Sequence, residues 1–219
     1  QEPKGLAKEG TSAVTDALHL PDLAQVKLGG LLGERFTRSE EQRLLQINED
    51  ELLDGFRHRP GKHPWIGEHV GKWLHAASVT YACTQNPALR EKLDRVATAL
   101  MATQEADGYL GTYAPEKRFG IFTDADWDVW SHKYDLIGLL SYYQITGNAA
   151  ALETCKRVGD LLINTFGPGK KSILSAGTHI GMAATSVLEP VVLLYRASGD
   201  KYATLPKVRF KNEDVITRI

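Results

Sequence analysis

This sequence is short of cysteine, of net charge and of long apolar runs, and each shortage closes off a class of function. Its two cysteines, Cys83 and Cys155, match no metal-ligand spacing; both lie on apolar helix faces, where a buried free thiol is expected. A formal charge of -1 and a pI near 6.7 leave no basic excess. No basic run is interleaved with aromatics either, so no nucleic-acid partner is expected. No stretch approaches the roughly eighteen apolar residues that a membrane-crossing helix needs. His69 and His75 are six positions apart and cannot share a helix face, so the two-histidine zinc motif is missing as well. The sequence opens on Gln1 with neither methionine nor an apolar leader. That fits a mature secreted or periplasmic form, favoured here over a cytoplasmic one, or an expressed piece of a longer protein.

What is present is ordinary for a globular core, 42% hydrophobic and 24% charged over 219 residues, and it is periodic. Residues 127–148 open polar and aromatic and then turn apolar, with Leu136, Ile137, Leu139, Leu140 and Tyr143 at helical spacing. Thr146-Gly147-Asn148 ends that helix, the glycine supplying a left-handed position. A second helix follows at once over 149–166, apolar along Leu152, Cys155, Val158 and Leu162, charged along Glu153, Lys156, Arg157 and Asp160. This antiparallel hairpin recurs. Leu194 to Asp200 repeats Tyr142 to Asn148 fifty-two positions on, and upstream an apolar helix runs into Gln85-Asn86-Pro87 with another helix after it. Recurrence at this period points to a helical repeat. In each unit the first helix is the more apolar, which gives an inner and an outer ring: an all-α fold, an α/α toroid or an arc of one.

Taken in order, 1–28 reads as an extended lead-in, 29–202 as the toroid half-barrel and 203–219 as a polar, β-leaning tail. Asn48-Glu49-Asp50 starts a new helix, and the first inner helix is expected over 65–75. Three loops lead from outer to inner helices: 107–113, 122–131 and the segment 167–181. In a toroid such loops emerge at one end, so with the starts of the inner helices they line one mouth. There the sequence sets Trp65, Glu68, His69, Asp107, Tyr109, Trp127, Asp128, Trp130, His132, His179 and, deeper, Glu189, and there a ligand belongs.

Aromatics beside carboxylates and imidazoles suit a sugar, whose apolar faces stack on rings while its hydroxyls bond to carboxylates. Glu189 lies in a nearly continuous apolar run, where a carboxylate needs a partner. Burial would help it hold a proton as a general acid; equally it could pair with Lys133 or Arg196, or cap backbone amides. His132, after Trp127-Asp128-Val129-Trp130, is read as a ligand contact, the other possibility being a capping histidine. His179 is either a contact or a solvated loop residue, and Asp107-Gly108 alone is ordinary turn chemistry.

The segments WIGEHVGKWL from Trp65, QEADGYLGTY from Gln104, His132-Lys133 with Gly138-Leu139-Leu140, and Thr178-His179-Ile180-Gly181-Met182 with Glu189 resemble the catalytic module of glycoside hydrolase family 127, the β-L-arabinofuranosidase-like proteins, over roughly 26–202. The resemblance implies an (α/α)6 barrel, a carbohydrate substrate of arabinofuranoside type, and hydrolysis of terminal β-L-arabinofuranosides with retention. It also implies a cysteine nucleophile held on zinc by further cysteines and a glutamate, with another glutamate as acid/base. Those motifs match neither Cys83 nor Cys155, so no cofactor is expected on this chain's own residues, and zinc belongs to the complete family site. A half-ring would be inactive alone, or a non-catalytic sugar-binding or structural fragment, and its open edges would favour self-association.

Overall fold

The computed structural model describes residues 21–120, 126–179 and 181–198. Most of the expected lead-in, the tail at 203–219, Asp124 and Ile180 lie outside them. Eight α-helices are found among the described residues: α1 (Gly30–Ser39), α2 (Glu49–Arg57), α3 (Glu68–Thr84), α4 (Pro87–Met101), α5 (Asp128–Thr146), α6 (Ala149–Thr165), α7 (Met182–Thr185) and α8 (Leu188–Ser198). No strand forms among them. The molecule is a partial α/α toroid, with α3, α5 and α8 side by side as the inner row and α2, α4 and α6 behind them.

Turn chemistry builds the hairpins. Helix α3 ends on Gln85 and α5 on Gly147, both left-handed (φ 53° and 69°), and the residue after each is an asparagine that caps the next helix. Asn86 accepts from the Ala88 amide at 3.0 Å, and Asn148 from Ala150 and Ala151 at 3.0 and 3.3 Å. Asn48 does the same for α2, through the amides of Asp50 and Glu51. Each cap satisfies amides that a helix start leaves open, worth typically ~1 kcal/mol. The third turn, at Gly199-Asp200, lies outside the described residues.

The approach to α2 and the start of α3 differ in detail from the sequence expectation. Helix α1 passes into one π-turn, Glu40–Leu44. The carbonyls at its end and just beyond are taken up from outside: the Trp73 indole donates to Leu44 O (3.2 Å), and the buried Lys92 ammonium to Leu45 O and Ile47 O (2.7 and 2.6 Å). The first inner helix begins at Glu68 and runs to Thr84, leaving Trp65 in the turn before it.

Helices α3 and α5 make the closest crossing. A Cβ on Gly71 would overlap the Tyr134 carbonyl, and one on Gly138 would lie 2.5 Å from Gly71 O. Only glycine allows that backbone approach. It locks the two inner helices in one register and fixes which side chains look into the concave face.

Candidate functional site

The mouth forms where the inner helices begin. Rings from three segments meet edge to face: Trp65 with Trp127 (centroids 6.4 Å), Trp127 with Trp130 (5.8 Å) and with His179 (5.8 Å), and Trp130 with Tyr134 (5.1 Å). His63 joins Trp65 to His69 at 4.7 and 5.5 Å. Trp65 is 46% exposed, His69 and His179 are exposed, and Trp127 and Trp130 are half-buried. Edge-to-face packing fixes the rings relative to one another.

Two clasps fix this array. Glu68 accepts from the Trp130 indole N–H, in a short bond, and from Lys72 at 2.7 Å, so α3 aims a ring of α5. The Tyr113 hydroxyl donates to Pro64 O (2.8 Å) and accepts from the Trp127 amide (3.0 Å), tying the loop before Trp65 to the head of α5. Burial pushes the Tyr113 phenol well above its ordinary range, so it stays a donor. One edge of His69 is open, yet the groups around it strip enough water to push its pKa down; His63 and Lys72 add to the shift and Glu68 opposes it. The imidazole is thereby favoured in its neutral form, able to donate from one nitrogen and accept at the other.

Four of the residues expected at the ligand make the contacts seen here within the protein. Tyr109, Asp128 and His132 are fully buried. The Tyr109 hydroxyl donates to Asp128 Oδ1 (2.9 Å) and accepts from the Tyr113 amide (3.0 Å), while Asp128 Oδ2 accepts from the Phe119 amide (3.2 Å). His132 donates from Nδ1 to Asp128 O (2.9 Å) and accepts from the Leu110 amide (3.4 Å), between the rings of Tyr109 and Phe119. These three fasten the 105–119 loop onto α5 from behind. Asp107 closes its own turn, accepting from the Tyr109 amide at 2.9 Å, where Arg157 of α6 donates to Glu105 O; it faces the outer row. Glu189 is corrected differently. It lies in the first turn of α8 with its side chain 64% exposed, 3.8 Å from Lys133, so the apolar burial expected of it does not occur and its paired role is the one seen.

Sequence reasoning passed over His63, Tyr113, Tyr134 and Lys72 at the mouth, and named Lys133 only as a possible partner of Glu189. Tyr113 was legible in principle, as the last aromatic of the DGYLGTY loop. The lysines carried no local signal, because their place depends on how α3, α5 and α8 sit together.

A family model described as beta-L-arabinofuranosidase, glycoside hydrolase family 127 catalytic domain, matches residues 38–217. The chain belongs to this family. The match continues through the stretch from 203 that the sequence reading set aside as a tail. A relative, the non-reducing end beta-L-arabinofuranosidase of Bifidobacterium longum subsp. longum, is 30% identical over 145 residues, 62% of this chain and 21% of that protein. Among solved structures, a family 127 beta-L-arabinofuranosidase from Geobacillus stearothermophilus T6 superposes with a TM-score of 0.60 at 21% identity, covering 78% of this chain and 28% of that one. A second family 127 beta-arabinofuranosidase gives 0.59 at 21% identity with the same coverage. At that identity the likeness speaks to the fold, the helical toroid. The chain thus spans about a fifth of the curated relative's length and little more than a quarter of these structures.

The zinc implied for the complete family site does not fit the residues described. No group of three or more His, Cys, Asp and Glu stands close enough to hold an ion among them. Cys155 is sealed inside α6, and burial, with Asp135 beside it, pushes its thiol up, the opposite of what a zinc thiolate requires. Also among the described residues, no helix is long and apolar enough to cross a membrane.

Proposed function

We propose that this chain supplies the sugar-holding wall of a β-L-arabinofuranosidase-like glycoside hydrolase. In this reading Trp65, Trp127 and Trp130 stack on a terminal arabinofuranose, and His69 meets its hydroxyls. The observation that carries the reading is the ring array, indoles from the 63–67 turn and the head of α5 set edge to face in a concave mouth and steered by Glu68 and Tyr113. Family membership supports a carbohydrate as the ligand. Hydrolysis with retention, zinc and a cysteine nucleophile belong to the complete family site; on its own the chain binds and does not turn over.

Two measurements on the 219-residue chain test this. Calorimetric titration with L-arabinose and with an aryl β-L-arabinofuranoside should show binding that weakens about tenfold or more in Trp130→Ala, since a stacked ring contributes on the order of 1–3 kcal/mol, while the helical circular-dichroism signal stays. Loss of the helical signal would make Trp130 a core residue. Release of the aryl group, with or without zinc and reductant, should stay at background. Turnover by the native chain would overturn the binding-only half of the reading.

A further inference from the structure

Among the described residues, one cation beside the ring array makes no hydrogen bond. Lys133 projects from α5 beside two rings, its Nζ 4.8 Å from the Trp130 centroid and 5.1 Å from that of Tyr134. Its side chain is only 12% exposed, yet its one ion pair among the described residues is the 3.8 Å approach of Glu189, beyond hydrogen-bond reach. Lys72 reaches the same Tyr134 ring from α3, at 4.4 Å, but its charge is answered by Glu68 at 2.7 Å. The two lysines therefore differ. Lys72 is neutralised by a carboxylate already fixed to Trp130, whereas Lys133 is answered by an exposed glutamate held by no hydrogen bond to it.

We propose that Lys133 is the reading element for a sugar that carries a carboxylate, a uronic acid, and that Glu189 stands in the ligand carboxylate's place until such a sugar displaces it. The physical argument is a comparison of two ion pairs. The glutamate of this pair is in solvent and 3.8 Å from the ammonium, so no direct hydrogen bond is lost when it swings away. A ligand carboxylate brought in on a sugar stacked against Trp130 bonds the ammonium directly in a partly dehydrated setting, and hydrogen bonds to charged groups are the stronger ones. The rings of Trp130 and Tyr134, 4.8 and 5.1 Å from Nζ to their centroids, attract the ammonium electrostatically and fix where it stands. The inference deepens the carbohydrate reading of the groove and rests on it for the sugar.

The test is calorimetric titration of the native chain, Lys133→Met and Glu189→Gln with D-galacturonate and, separately, with neutral L-arabinose. Methionine keeps the length of the buried stem. Galacturonate should bind the native chain, weaken about tenfold in Lys133→Met and tighten several-fold in Glu189→Gln, because the competing carboxylate is gone; arabinose should change by no more than about twofold in either. Galacturonate affinity unchanged in Lys133→Met, or reduced in Glu189→Gln, overturns the proposal while arabinose binding leaves the carbohydrate reading intact. Binding of neither sugar overturns both.

Discussion

Asp135 is the residue whose environment is most at odds with its chemistry. It is fully buried on α5, neither carboxylate oxygen has a hydrogen-bond partner among the described residues, and burial, with Asp128 on the same face, raises its pKa well above the ordinary value. An uncompensated buried carboxylate survives by keeping its proton. The sign follows: with a folded pKa above the unfolded one, its contribution is full below about pH 4 and is lost as pH rises towards the folded value, by up to about 1.4 kcal/mol per unit. His69 acts the other way, its lowered pKa weakening the fold as pH falls through about 6.5. Denaturant titrations of native protein and Asp135→Asn from pH 5 to 8 separate the two. The substitution should flatten the loss on the alkaline side and leave the histidine limb in place; parallel curves would mean that Asp135 has a partner and is ionised.

Helices α3 and α5 show what glycine spacing contributes to a site some turns away. Gly138→Ala sets a methyl 2.5 Å from Gly71 O and 2.9 Å from Leu74 Cβ, so the helices must part. Overpacking of this kind costs typically 1–3 kcal/mol, and at this size each kcal/mol lowers Tm by about 2–4 °C. Because Glu68 reaches Trp130 across the same crossing, sugar binding should weaken along with Tm. A lower Tm with unchanged affinity would show that the ring array is held by its loops alone. The same pair of helices marks what could be read from sequence. The hairpins were legible because a left-handed residue followed by asparagine is local chemistry, repeated at Gln85-Asn86 and Gly147-Asn148. The facing of α5 was not. That helix packs against α3, α6 and α8, so it is apolar nearly all round and has no polar stripe to orient it. Trp130 therefore looks into the groove while His132, two residues on, is sealed behind it, and sequence alone gave both the same role. Glu189 misled for a related reason: an apolar neighbourhood in sequence became an exposed first turn in space.

The row of inner helices has two ends. Among the described residues α5 packs against both α3 and α8, and Val79 and Val192 on the outer two stand 40% and 37% exposed, with Met182 at 73% nearby in sequence on α7. Unpartnered apolar side chains at the ends of a helical repeat favour association. Light scattering should show the mean mass rising with concentration over the micromolar range, and Val79→Lys with Val192→Lys should reduce the rise. A monodisperse monomer throughout would show that these positions are sparse surface apolar residues and nothing more.

The placement of the indoles has a practical side. Of the four tryptophans in the chain, Trp65, Trp127 and Trp130 are in ring contact at the mouth, and Trp73 alone is set apart, 5% exposed with its N–H donating to Leu44 O. The protein's ultraviolet emission is therefore weighted towards the groove. Excitation can pass among the three neighbouring indoles, so a guest lying on one of them dims or shifts the light of all three, while Trp73 provides a steady internal reference. The mouth thus carries its own optical gauge of occupancy, and needs no attached dye.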